Sequence, residues 1–166
     1  DEKIFILYHQ ITELYFKLAL HECEQISTGP DLTAAGFASR LKRINSYFNA
    51  LTNSFEIMVE GMDKKQFLKF RMALLPASGF QSAQYRMIEI YATDFEGPIA
   101  AEKREQLRDA ALTEQFEYIY WKFGATELAT GRKTLTLRQF EEKYSAGLLD
   151  LATSVRSTNF RSLYSK

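Results

Sequence analysis

Phe37-Ala38-Ser39-Arg40-Leu41-Lys42-Arg43-Ile44-Asn45-Ser46-Tyr47-Phe48-Asn49-Ala50-Leu51-Thr52-Asn53-Ser54-Phe55-Glu56-Ile57-Met58 decides the fold. Phe37, Leu41, Ile44, Phe48, Leu51, Phe55 and Met58 alternate spacings of four and three. That period draws one apolar line along an α-helix, a seam suited to long antiparallel packing. The spacing predicts a helix over about Thr33 to Val59.

Upstream, a helix is predicted from about Lys3 to Ile26. Ile4, Leu7, Tyr8, Ile11, Leu14, Tyr15 and Leu18 form one stripe, and Phe5, His9, Thr12 and Phe16 form a second beside it. Two adjoining apolar faces predict a helix inside a bundle rather than on its rim. Downstream, Asp63 is a good N-cap with Gln66 three residues on, so a third helix starts there, carries Phe67, Phe70, Arg71 and Leu74, and ends at Pro76. A fourth is predicted over Phe80 to Tyr91. Residues Ile99 to Phe123 read as two helical pieces broken near Thr113, and Gly124 to Arg132 as a connector. Thr136-Leu137-Arg138-Gln139 reads as a capping box for a last helix that continues towards Tyr164. No strand alternation, repeat or low-complexity tract is visible. The fold class is all-α, a helical bundle, and the 166 residues read as one domain.

Zero net charge gives no footprint for nucleic acid or an anionic membrane, and no stretch approaches the roughly 18 apolar residues that span a bilayer. One cysteine, Cys23, rules out an internal disulfide framework and favours a reducing compartment. The chain opens Asp-Glu-Lys, with neither a signal peptide nor an initiator Met, and is expected to be part of a longer product.

Chemistry concentrates in two pairs. Phe5 and His9 stand four residues apart and share a helix face; Phe67 and Arg71 repeat the spacing. A ring with an imidazole, and a ring with a guanidinium, suit a flat amphipathic ligand that carries a carboxylate. The bland alternatives are a core histidine satisfied by a hydroxyl and an arginine in a buried ion pair. His21 lies in a polar patch, and Cys23 reads as a small apolar core residue. A di-iron site needs Glu-x-x-His pairs, but Ile6 and Leu18 stand three before the two histidines. Two His and one Cys do not make a zinc site. Phosphate-binding glycine motifs and a G-x-S-x-G elbow are absent, although spacing leaves a nucleophile dyad open.

Phe5-Ile6-Leu7-Tyr8-His9-Gln10-Ile11-Thr12-Glu13-Leu14-Tyr15-Phe16-Lys17 resembles a signature of the tryptophan 2,3-dioxygenase family, Phe-Ile-x-x-His-Gln-x-x-Glu-Leu-Trp-Phe-Lys. Phe70-Arg71, then Pro76-Ala77-Ser78-Gly79-Phe80-Gln81-Ser82-Ala83-Gln84-Tyr85-Arg86, is similar to a second. The likeness is strong over residues 1 to about 91. It implies an all-α haem dioxygenase fold, cytoplasmic and homotetrameric, that cleaves the indole 2,3 bond of L-tryptophan with O₂ to N-formyl-kynurenine, opening the kynurenine route. It further implies that His9 accepts the indole N–H as the distal catalytic histidine, that Phe5 and Phe67 wall the indole, that Arg71 grips the carboxylate, and that Ser78 lies beside the haem edge.

One departure stands out. The family's iron is held by a histidine in its C-terminal half, and no histidine follows His21 here. His21 is twelve residues from His9, about 18 Å along one helix, so the two cannot face each other across a haem. Haem b is therefore expected of a longer enzyme and not of this chain by itself. The alternative is a haem-less helical relative that binds an aromatic amino acid or serves as a scaffold.

Overall fold

The computed structural model describes residues 1–71, 81–123, 125–126 and 130–165, with Arg71 as backbone only. Among these residues the regular elements are helices, and two isolated antiparallel bridges join Ile99 to Ile119 and Thr126 to Lys133. The all-α expectation holds. The sequence reads as one domain; the backbone contacts group into two compact units, Asp1–Leu75 and Pro76–Lys166. No described helix is long and apolar enough to cross a membrane.

In the first unit, α1 (Glu2–Thr28) and α2 (Ala34–Ser54) form an antiparallel hairpin. Contacts climb one helix as they descend the other: Tyr8 reaches Leu51 and Ser54, Phe16 meets Phe48, and Glu22 meets Arg43. Thr33 caps α2 by accepting the Gly36 N–H at 3.0 Å. Ile44 of the seam is buried, and Cys23 is packed as the apolar core residue expected of it. Burial pushes its thiol up to about 12, so it is not a nucleophile.

The expectation that both stripes of α1 are covered fails. Tyr8 is buried, but Ile4, Leu7, Ile11, Leu14 and Leu18 are 47–62% exposed. One partner helix covers one face, so a hairpin satisfies only the stripe turned to α2.

The seam also overruns its helix. α2 stops at Ser54 and a short α3 (Glu56–Val59) follows. The Leu51 carbonyl accepts from the Phe55 N–H, the Ser54 hydroxyl and the Tyr8 hydroxyl, a competition that favours an interruption there. Gly61 then turns the chain: a Cβ on it would stand 2.5 Å from the Ile57 carbonyl oxygen. α4 (Lys64–Arg71) starts as expected, with Asp63 Oδ1 accepting the Gln66 N–H at 2.9 Å. The predicted stop at Pro76 lies outside the described residues.

Glu22 staples the hairpin. Its two oxygens take Arg43 Nε at 2.6 Å and the second guanidinium nitrogen at 2.7 Å. That hydrogen bond holds the Glu22 carboxyl below its ordinary range, against the opposing pull of burial. A depressed carboxylate stabilises the fold above its unfolded pKa, and the contribution disappears as pH falls through the folded value. Glu22→Gln is expected to lower the urea midpoint at neutral pH and to narrow its gap to the parent chain in acid, read between about pH 6 and pH 3.

In the second unit, α5 (Ala83–Ala92) is capped by Ser82 Oγ on the Tyr85 N–H. It packs against α9 (Leu135–Ser154), as does α7 (Leu112–Glu117). Phe116, Trp121, Phe140 and Tyr144 form a chain of rings with centroids 5.0–6.1 Å apart. Three expectations are corrected here. The stretch from Ile99 to Phe123 holds three short helices rather than two, α6 (Ala101–Arg104), α7 and α8 (Tyr120–Phe123), the first break running from Arg104 to Leu112, beside Thr113. The cap of α9 is Thr134, whose hydroxyl accepts the Leu137 N–H, rather than Thr136. Nor does α9 run on to Tyr164: Asn159 caps a separate α10 (Phe160–Tyr164).

Candidate functional site

The pocket of interest lies in the first unit. Phe5 and His9 come from α1, one turn apart, and their rings stack with centroids 4.2 Å apart at 36°. α4 brings Phe67 to 6.3 Å from Phe5, and the buried Phe70 to 5.5 Å from Phe5 and 5.3 Å from Phe67. Asp1 ties the start of α4 to the start of α1, its Oδ2 accepting the Asp63 N–H at 2.8 Å.

His9 is exposed, so the buried-core reading of it does not apply. Its Nδ1 lies 2.8 Å from the Phe5 carbonyl oxygen. A carbonyl only accepts, so Nδ1 carries the proton, and in the neutral ring Nε2 keeps its lone pair. The helix therefore sets the tautomer: His9 presents an acceptor to whatever enters.

Phe5, His9 and Phe67 line one cavity of about 440 Å³. That lies within the roughly 300–1,000 Å³ typical of small-molecule sites. Its remaining wall is Phe55, Met58, Val59, Met62 and Lys64. Sequence reading missed these five as pocket residues. Phe55 and Met58 were legible only as the end of the α2 seam, and the turn that swings them round the cavity is a tertiary effect.

The guanidinium of Arg71 and the whole of Ser78 lie outside the described residues. The backbone of Arg71 ends α4, four residues after Phe67. His21 is set apart from the pocket: its Nε2 accepts from Gln25 Nε2 at 2.6 Å. No group of three or more His, Cys, Asp or Glu that could hold a metal ion occurs among the described residues.

Chemically, the pocket offers two ring walls for a flat π-system, one imidazole nitrogen, Nε2, for a donor on that ring's edge, and a flexible methionine lining.

Fold and pocket define an all-α protein with an aromatic-walled cleft carrying a single imidazole. A family model described as Tryptophan 2,3-dioxygenase matches residues 1–108. The chain belongs to the tryptophan 2,3-dioxygenase family. It is 41% identical over 96 residues to the tryptophan 2,3-dioxygenase of Sorangium cellulosum, covering 54% of this chain and 23% of that protein. It is 36% identical over 130 residues to the protein of the same name from Nocardioides, covering 69% of this chain and 46% of the relative. With the Bdellovibrio bacteriovorus protein, also so named, the identity is 44% over 95 residues, covering 54% of this chain and 26% of the relative. The chain thus spans between about a quarter and a half of these relatives' length. No solved structure matches it.

Proposed function

We propose that this chain forms the substrate side of an oxidoreductase that cleaves the indole 2,3 bond of L-tryptophan with O₂, giving N-formyl-kynurenine and so opening the kynurenine route. Membership of the family supports the reaction class. The observation that carries the assignment is the convergence of Phe5, His9 and Phe67 from two helices on one cavity, with Nδ1 of His9 tied to a carbonyl. An indole fills the requirement on three counts: an apolar ring for Phe5 and Phe67 to wall, an edge N–H for Nε2, and a small rigid outline. The rings hold the plane of the indole, and His9 fixes which edge of it enters first. Arg71 takes the carboxylate in a bidentate fork, which sets the amino-acid end of the substrate.

Haem b is the cofactor expected of the whole enzyme. Neither histidine of this chain fits as its axial ligand: His9 faces the aromatic pocket, and His21 bonds Gln25 twelve residues further along the same helix. No step is therefore routed through iron from these residues. A cytoplasmic homotetramer completes the proposal, with neither nucleic acid nor membrane as partner.

The test is the whole enzyme reconstituted with haem. A Soret band and N-formyl-kynurenine formed from tryptophan support the reading; a folded protein that takes up no haem and forms no product ends it, and leaves the second reading, a haem-less binder of aromatic amino acids. Calorimetry with L-tryptophan on apoprotein tests that second reading directly. Arg71→Lys is expected to raise KM for L-tryptophan about tenfold, because an ammonium loses the fork geometry, while binding of indole, which has no carboxylate, stays unchanged.

A further inference from the structure

A second cavity, of about 620 Å³, lies wholly within the second unit. It opens between the residues after α5, the segment leading into α7, and the end of α9. It shares no lining residue with the pocket of Phe5 and His9. Everything in its wall from Asp109 onward falls outside the stretch that the family model matches. Neither the family nor the proposed oxygenation assigns it a role.

The wall carries chemistry that the fold leaves unanswered. Gln115 is 5% exposed, and its Nε2 donates to the carbonyls of Leu107 at 2.8 Å and Arg108 at 3.4 Å. Those bonds fix the amide's orientation and leave Oε1 without a donor. That oxygen is open to the cavity, an acceptor available to a donor on whatever enters. Arg108 and Arg156, both exposed, line the same cavity with the exposed Asp109 and the half-buried Glu96, and among the described residues none of the four makes an ion pair. Asp94 is the exception, with Arg161 at 3.3 Å. Ile90, Phe95 and Val155 add an apolar floor.

Each simple ligand class meets a penalty here. A plain anion meets Glu96 and Asp109, and a plain cation meets two guanidiniums. A neutral apolar molecule would seal off Gln115 Oε1 with no donor to offer. A zwitterion answers all three demands. Its ammonium donates to Gln115 Oε1 and to the carboxylates, its carboxylate takes a guanidinium fork, and its side arm covers the floor.

We propose that this cavity is a second binding site, for a free α-amino acid with an apolar side chain. The inference does not rest on the oxygenase reading.

The test is amide-resolved NMR titration of the 166-residue chain with L-leucine, which has no indole to enter the first pocket. The controls are 4-methylpentanoate, leucine without its amine, and isoamylamine, leucine without its carboxylate. Saturable binding is expected, with shifts centred on Ala110 to Leu112 and Val155 to Arg156. Either control should bind at least about tenfold more weakly, the worth of one charged hydrogen bond. Joint replacement Arg108→Gln and Arg156→Gln, both on exposed side chains that leave the fold intact, should weaken leucine by a similar factor. No saturation by about 10 mM, a fair limit for a weak specific site, overturns the proposal. So does equal affinity for 4-methylpentanoate, an unchanged affinity in the double variant, or shifts confined to Phe5, His9 and Phe67.

Discussion

His9→Ala is expected to lower kcat/KM for L-tryptophan by about 100-fold in the haem-loaded enzyme, and to change turnover of 1-methyl-L-tryptophan far less. The magnitude has two parts. An indole N–H that loses its acceptor once the substrate covers it forfeits about 1–3 kcal/mol, or roughly 10–100-fold. The lost imidazole also ends the 4.2 Å stack on Phe5, and aromatic pairs are worth about 0.5–1.5 kcal/mol beyond area. The methylated substrate has no N–H, so only the second part remains for it. The difference between the two substrates therefore isolates the hydrogen bond to Nε2. Equal losses on both substrates would mean that His9 only shapes the pocket, and the role assigned to its lone pair would fall.

The start of α1 and the cap of α4 were legible because each is a local event. Asp63 accepts the Gln66 N–H within one turn of chain, and a three-residue spacing suffices to foresee it. Phe5 and His9 were legible for the same reason, since a helix makes neighbours of residues four apart. The end of α2 was not. Periodicity carried the seam through Phe55 to Met58, whereas the interruption is favoured by the hydroxyl of Tyr8, forty-three residues before Leu51 in sequence. The Met58–Met62 wall of the pocket follows from that break, so it too was hidden. The exposed stripe of α1 shows the converse limit. Apolar period shows that a face wants cover, and says nothing of what covers it. In the second unit, the sequence pattern places the cap at Thr136, and the structure places it at Thr134. What separates them is the Thr126–Lys133 bridge, which delivers the chain to α9 at Thr134.

Lys122→Ala is expected to destabilise the second unit by about 3 kcal/mol, the largest stability effect foreseen for an ion pair in this chain. Lys122 is 4% exposed and its Nζ sits between Glu141 at 2.8 Å and Glu117 at 3.0 Å, with the Phe116 ring centroid 4.0 Å away. Truncation removes the cation from beside Glu141, which is only 15% exposed, and leaves a void where the stem ran. Lys133, at 2.9 Å from Glu141 and 3.0 Å from Glu117, remains, which keeps the cost from rising further. Lys122→Met separates the two causes, because it restores the stem without the charge, and it should recover the packing share. Glu117 supplies the pH signature. Burial pulls its carboxyl up, but Lys122 and Lys133 outweigh that and hold it below the ordinary range. Its stabilisation is complete above the unfolded carboxylate pKa and is lost as pH falls through the folded value, so the gap between parent and Lys122→Met should close in acid. Urea midpoints of the three proteins at neutral and acid pH read both effects. A methionine variant as stable as the parent at neutral pH would show that desolvation of the ammonium cancels its attraction to the two carboxylates, and that the charge at this position contributes no stability.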